Sequence, residues 1–122
     1  MIIGSVSENK DTEKRISVTP ENVKKFVSNG FKVYLEKNYG THIDINDQKF
    51  SENGAQFFST KEEIIKNSDI LLQLNLPSEN DLKNLTSNKN LIGIFDPTNN
   101  KDRISKLTQN NINVFSLELL PV

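Results

Sequence analysis

Short apolar runs alternate with amphipathic stretches along the chain. Met1 to Val6 reads as a first strand and Phe31 to Glu36 as a second, with Val33 and Leu35 on one face. Between them, Thr19-Pro20-Glu21-Asn22 has the makings of a helix start. Thr19 can cap free backbone N–H groups, Pro20 suits the first helical position, and Glu21 favours the positive end of the dipole. Val23, Phe26 and Val27 then recur at i, i+3, i+4, and Asn29-Gly30 supplies a left-handed stop. This is one βαβ unit.

The pattern recurs. Asp47 to Asn53 predicts a short helix ending at Gly54, followed by a strand over Ala55 to Phe58. Thr60-Lys61-Glu62-Glu63 resembles a capping box that opens a helix to about Asn67. Ile70 to Leu74 is nearly continuous in apolar character, as in strands buried on both faces of a parallel sheet. Ser78 caps a helix through Leu82 and Leu85, Leu91 to Phe95 is another buried strand, Lys101 to Thr108 a helix, and Asn113 to Leu120 the last strand. About six strands separated by helices of roughly ten residues or fewer predict an α/β fold: a three-layer sandwich with a mostly parallel sheet, flavodoxin-like and Rossmann-related. The chain stops at Leu119-Leu120-Pro121-Val122, where a doubly wound sheet would add a covering helix. The expectation is the leading piece of a longer protein.

Composition narrows the function. The 122 residues, 34% hydrophobic and 25% charged, fit one domain. A net charge of −1 with no polybasic tail lacks the electrostatic footprint of a nucleic-acid binder. The lack of cysteine removes disulfides, a thiolate nucleophile and Cys-ligated zinc, and fits a reducing compartment. No basic and apolar leader opens the chain. Apolar runs such as Ile70-Leu71-Leu72 fall far short of the ~20 residues of a membrane span.

Ligands of open α/β sheets sit outside the carboxyl ends of the strands. The polar residues expected there are Ser5, Ser7 and Glu8, then Gln73, Asn75 and Pro77, then Asp96, Pro97 and Thr98, and Glu118 in the last strand. The glycines Gly4, Gly30, Gly40, Gly54 and Gly93 are too widely spaced for a G-x-G-x-x-G dinucleotide turn or a phosphate-binding P-loop. Arg15, one of two arginines, lies in a charged loop where its guanidinium can fork onto a ligand's carboxylate or phosphate. It can equally be a solvated side chain, or pair with Glu8, Asp11 or Glu13. The sole histidine, His42, has no nucleophile beside it in sequence and reads as a loop residue, and one His without Cys argues against a transition-metal site. Asp96 is the best-placed carboxylate, although Asp-Pro also opens turns.

Several of these segments, in this order, resemble a known family. Met1-Ile2-Ile3-Gly4 with Glu8, then Lys14-Arg15-Ile16-Ser17-Val18-Thr19-Pro20 and Val23, is similar to the "R-I-G-x-P-x-E … E-x-R-V-A-x-T-P-x-x-V" opening of alanine dehydrogenases and of the alpha subunit of proton-translocating NAD(P) transhydrogenase. Gly30-Phe31-Lys32-Val33, Glu36 and Gly54-Ala55 continue the likeness over essentially the whole chain. Alanine dehydrogenases carry Lys-Glu-Pro after the fourth strand and a His after the fifth; here those places hold Asn75-Leu76-Pro77 and Asp96-Pro97. The Pro and Asn of the transhydrogenase strand-five loop are met by Pro97-Thr98-Asn99-Asn100, and Ser116-Leu117-Glu118-Leu119-Leu120-Pro121 resembles its "M-E-L-M-P-R", with Val122 in place of the Arg.

The resemblance implies the first part of the NAD(H)-binding component of a transhydrogenase, which passes hydride between NAD(H) and NADP(H) while protons move through a membrane component. It implies no cofactor bound by this chain alone and no catalytic residue within it; Arg15, Asn75 and Asp96 are the candidate cleft residues. The implied partners are a Rossmann NAD-binding domain, the membrane and NADP-binding components, and a second copy in a homodimer, with a cytoplasmic place peripheral to the inner membrane. Two alternatives stand beside it: the substrate domain of an alanine- or saccharopine-type dehydrogenase, in which Arg15 matches a substrate-contacting arginine, and a non-enzymatic assembly module.

Overall fold

A computed structural model describes residues 1–117. The elements in chain order are β1 (Ile2–Ser5), α1 (Pro20–Ser28), β2 (Lys32–Glu36), a 3₁₀ turn (Thr41–Ile43), α2 (Asp47–Ser51), β3 (Gln56–Phe58), α3 (Lys61–Asn67), β4 (Ile70–Leu72), α4 (Glu79–Leu82), β5 (Asn90–Gly93), α5 (Lys101–Gln109) and β6 (Asn113–Ser116). The six strands form one sheet in the order β3-β2-β1-β4-β5-β6, and every neighbouring pair is parallel. This is the doubly wound order, which grows in one direction from β1 and in the other from β4. Right-handed crossovers then place the helices of the two halves on opposite faces.

The two faces have separate cores. Val33 and Leu35 of β2 pack with Val23 of α1, Phe50 of α2, Val18 and Tyr39. Tyr34, between them in sequence, turns to the other face, where its ring lies 4.6 Å from that of Phe58. Leu71 of β4 and Leu91 of β5 meet Ile64 and Ile65 of α3 and Leu107 of α5 on that second face. Each fully buried aliphatic side chain contributes about 1.5–3 kcal/mol, as an upper bound. Ile94, Phe115 and Leu117 remain exposed, the last two about half so. Val114 packs on the α5 side, so Phe115 faces the side that α1 and α2 cover only further along the sheet.

The helix ends follow their sequence signals. Thr19 Oγ1 accepts from Asn22 N at 3.2 Å while Asn22 Oδ1 accepts from Thr19 N at 3.0 Å, a reciprocal box. At the other end of α1, Gly30 takes φ 91°, its N–H reaches Val27 O, and Phe31 N reaches Phe26 O, with the two phenyl rings 6.3 Å apart. That is the pattern expected of a left-handed glycine stop. Of the box expected at Thr60, the structure shows the half in which Thr60 Oγ1 accepts from Glu63 N.

Some expected elements are trimmed. β4 ends at Leu72 because the N–H of Leu74 turns to the Glu8 carboxylate instead of a neighbouring strand. α4 ends at Leu82, and Leu85 is carried inward by the following turn. The 3₁₀ turn over Thr41–Ile43 had no apolar period to announce it. The expected continuation of the last strand to Leu120, with Glu118 and the segment through Pro121, lies outside the described residues.

Candidate functional site

Between β1 and β4 the strand order reverses, and the connections leave on opposite faces. The carboxyl ends of these strands therefore flank an open crevice, the usual ligand position of such sheets. A cavity of about 360 Å³ lies there, lined by Ser7, Glu8, Lys61, Gln73, Asn75 and Asp81 among others. A larger one of about 410 Å³ runs between α4 and α5 over Leu82, Leu85 and Leu107, and holds none of the strand-end residues.

At the floor of the crevice, three buried polar side chains are joined. Tyr39 Oη accepts the N–H groups of Ser17 and Val18, both at 3.2 Å, and lies 2.7 Å from Ser5 Oγ. With both Tyr39 lone pairs engaged, the phenol proton points to Ser5 Oγ, which in turn donates to Leu72 O at 2.6 Å. Burial pushes the Tyr39 phenol up to about 12. One step higher, Gln73 acts as an added rung between the diverging strands. Its Oε1 accepts from Val6 N at 2.7 Å, and its Nε2 donates to Val6 O at 3.0 Å and to Glu8 Oε2 at 2.7 Å.

The loop of residues 6–19 closes over this floor. Glu8 accepts from Leu74 N at 2.9 Å and Asn75 N at 3.2 Å, tying the loop to the end of β4. Ser7 N donates to Glu36 Oε1 at 2.8 Å, and His42 Nε2 lies 3.0 Å from Lys14 O. Since a carbonyl only accepts, His42 carries its proton on Nε2 and holds the loop's outer edge.

Arg15 and Asn75 are brought together through Glu13. Arg15 Nε donates to Glu13 Oε2 at 2.9 Å and Nη2 to Oε1 at 3.0 Å, a bidentate fork, while Asn75 Nδ2 donates to the same Oε1 at 3.0 Å. The Arg15 fork first, and Asn75 second, hold the Glu13 carboxyl down to about 2. Glu13 is 8% exposed, whereas the Arg15 side chain is 66% exposed. Of the partners open to Arg15 in sequence, Glu13 is the one taken, because residues two apart in an extended loop project to the same side. Asp96 is placed elsewhere. It sits past the end of β5 at φ 46°, with its Oδ2 accepting from Asn99 Nδ2 at 2.7 Å and its carbonyl from Asn99 N and Asn100 N, as a turn opener.

Tyr39 is the site residue that strand-end reasoning missed. It follows β2 by three positions and reaches back across β1, a tertiary placement with no local period. Among the described residues no cluster of three His, Cys, Asp or Glu is arranged to hold a metal, and no helix is long and apolar enough to cross a membrane.

Sheet order and crevice define the class: a doubly wound α/β domain in which a long polar loop stands where nucleotide-binding members carry a glycine turn. The chain belongs to the family described as alanine dehydrogenase/PNT, N-terminal domain, which matches residues 4–122. It is 30% identical over 121 residues, 99% of this chain, to NAD(P) transhydrogenase subunit alpha of Haemophilus influenzae, of which it spans 23%. It is 26% identical to alanine dehydrogenase 1 of Staphylococcus aureus over 98% of this chain and 32% of that protein. Among solved structures, a transhydrogenase from Sinorhizobium meliloti superposes with a TM-score of 0.91 at 30% identity, covering 99% of this chain and 36% of that one. An L-alanine dehydrogenase shares the fold with a TM-score of 0.87 at 19% identity. The chain thus spans about a quarter to a third of the relatives it matches, and the family's named members are oxidoreductases.

Proposed function

We propose that this domain is the leading part of the NAD(H)-binding component of a proton-translocating NAD(P) transhydrogenase, an assembly that moves hydride between NAD(H) and NADP(H). The observation that carries the reading is Asn75 at the end of β4: an amide, bonded to Glu8 and Glu13, lines the crevice where a keto-acid enzyme of this family places a lysine. The transhydrogenase relatives at 30% identity support it.

The residues of this domain do not fit a dinucleotide of their own. Gly4 lies within β1, where an added Cβ would come 1.9 Å from Ser68 Oγ, so it serves close packing of α3 on the strand. Of the first amides of α1, those of Asn22 and Val23 are engaged by Thr19, and Pro20 has no N–H to offer. The nicotinamide supplies the hydride chemistry when bound, and this chain's part is to form a polar wall beside it. We assign the dinucleotides to a Rossmann domain and an NADP-binding component of the complete assembly. The exposed Ile94, Phe115 and Leu117 are where another domain or a second copy would pack, and a membrane component would hold the whole at the inner membrane.

A second reading, the substrate domain of an amino-acid dehydrogenase, is favoured by the exposure of the Arg15 side chain, which is joined through Glu13 to Asn75 of the crevice. Arg15→Ala separates the two. Under the first reading, NADPH-driven reduction of an NAD⁺ analogue by the complete protein survives the change. Under the second, the protein oxidises NADH with pyruvate and ammonium, and Arg15→Ala abolishes that activity.

A further inference from the structure

The groove of about 410 Å³ between α4 and α5 shares no lining residue with the crevice at the ends of β1 and β4. Its floor is made by Leu82, Leu85 and Leu107, members of the core on the second face, so the groove is preformed, and its volume falls in the range of small-molecule sites, about 300–1,000 Å³. The rim carries Lys83, Arg103 and Lys106 against a single carboxylate, Glu79, in a chain whose net charge is −1. Among the described residues, none of these four forms an ion pair. Lys106, in the last turn of α5, has a local reason for its charge, because the negative end of the helix dipole favours a cation there. Arg103 has none. It is the third residue of α5, where the dipole disfavours a cation; among the described residues its one hydrogen bond runs from Nη2 to the Pro77 carbonyl, and its Nε is covered and without a partner. Pro77 fixes where the guanidinium stands and leaves its charge unanswered.

We propose that the α4–α5 groove is a binding site for a small organic monoanion with an apolar body, a medium-chain carboxylate in its simplest form. The head group sits on Arg103 with Lys83 and Lys106 beside it, and the body lies on Leu82, Leu85 and Leu107. A carboxylate answers the Arg103 charge with charge-assisted hydrogen bonds from the N–H groups that Pro77 leaves unused. The apolar body displaces water from the leucine floor. Glu79 on the same rim repels a second negative charge, which favours a carboxylate over a phosphate monoester. Val114 packs on the α5 side of the sheet and Phe115 faces the other, so a domain that covers Phe115 leaves the groove open. No crevice residue takes part, and occupancy of the groove depends on neither functional reading.

The test is a titration of the isotopically labelled chain with sodium octanoate, below its micelle-forming concentration and at ionic strength held with sodium chloride, following the amide and methyl resonances of Leu82, Leu85 and Leu107. Saturable shifts are expected there. Octanol keeps the body and lacks the charge, acetate keeps the charge and lacks the body, and each is expected to bind at least about tenfold more weakly than octanoate. Arg103→Gln is expected to weaken octanoate about tenfold and leave octanol unchanged, a split that a general loosening of α5 would not produce. Lys106→Gln, at an exposed position, is expected to weaken octanoate about threefold. The absence of saturable shifts at these leucines, octanoate shifts centred on Gln73 and Asn75 instead, or octanol binding as tight as octanoate overturns the proposal. So does an octanoate affinity that both substitutions leave unchanged. If Arg103→Gln loses native dispersion, Lys106→Gln and the octanol comparison still decide.

Discussion

Replacing Tyr39 with Phe removes one oxygen and leaves the ring where it is, packed edge-on 5.7 Å from Phe50. That oxygen accepts the N–H groups of Ser17 and Val18 and donates to Ser5 Oγ. Val18 is fully buried, so its N–H is left without a partner and without water, at a cost of about 1–3 kcal/mol. Ser17 is half-buried and recovers part of its loss from solvent, while Ser5 keeps its bond to Leu72 O. The sum is about 3 kcal/mol, a large share of the 5–15 kcal/mol that holds a typical domain together. Urea unfolding followed by circular dichroism is the assay. With a slope of about 2 kcal/mol per molar, the midpoint falls by roughly 1.5 M at unchanged slope. In a double-mutant cycle, Ser5→Ala is expected to be coupled to Tyr39→Phe rather than additive. A Tyr39→Phe midpoint within about 0.3 M of the unaltered chain refutes the reasoning, because the two amides would then have found other partners.

Three further outcomes follow from the same geometry. Because the folded Tyr39 phenol is raised to about 12, the stabilisation from keeping it neutral is complete below its ordinary value of 10.0 and is lost as pH climbs toward 12; in Tyr34→Phe, where Tyr39 is the one remaining tyrosine, phenolate absorbance is expected to rise near 12 or with unfolding. Glu13 has the opposite sign: its carboxyl is lowered from 4.5 to about 2, so its contribution is present above 4.5 and lost as pH falls toward 2. With Arg15 so exposed, we discount that contribution to about 1 kcal/mol, measured as extra acid destabilisation of the unaltered chain over Glu13→Gln. Gly93→Ala places a Cβ 1.9 Å from the Gln73 carbonyl and 2.4 Å from the Phe95 ring, and is expected to cost about 3 kcal/mol or prevent folding; Gly4→Ala meets the Ser68 side chain instead, and Ser68→Ala is expected to recover part of its thermal midpoint.

The strand and helix cores were legible because apolar residues carry the period of each element. Val33 and Leu35 had to share a face, and both are buried against α1 and α2. Ends were less legible, since they depend on tertiary hydrogen bonds: β4 stops where Glu8, more than sixty residues away in sequence, takes the Leu74 amide. Strand-end logic selected Ser5, Glu8, Gln73 and Asn75, the charged loop before α1 singled out Arg15, and the fold brings Arg15 and Asn75 onto one carboxylate. Strand-end logic also selected Asp96, which lies in the turn after β5 and accepts from Asn99 and Asn100. Tyr39 was not legible, because its value lies in two amides of a distant loop that no local spacing reveals.

The central claim is that the crevice of this domain serves dinucleotide-to-dinucleotide hydride transfer and not a keto acid. The most direct measurement is a side-by-side assay of the complete protein reconstituted with the membrane and NADP-binding components proposed for it, with NADPH plus an NAD⁺ analogue in one cuvette and NADH plus pyruvate and ammonium in the other. The account predicts reduction of the analogue and no pyruvate-dependent oxidation of NADH. Pyruvate-dependent oxidation without transhydrogenation contradicts it.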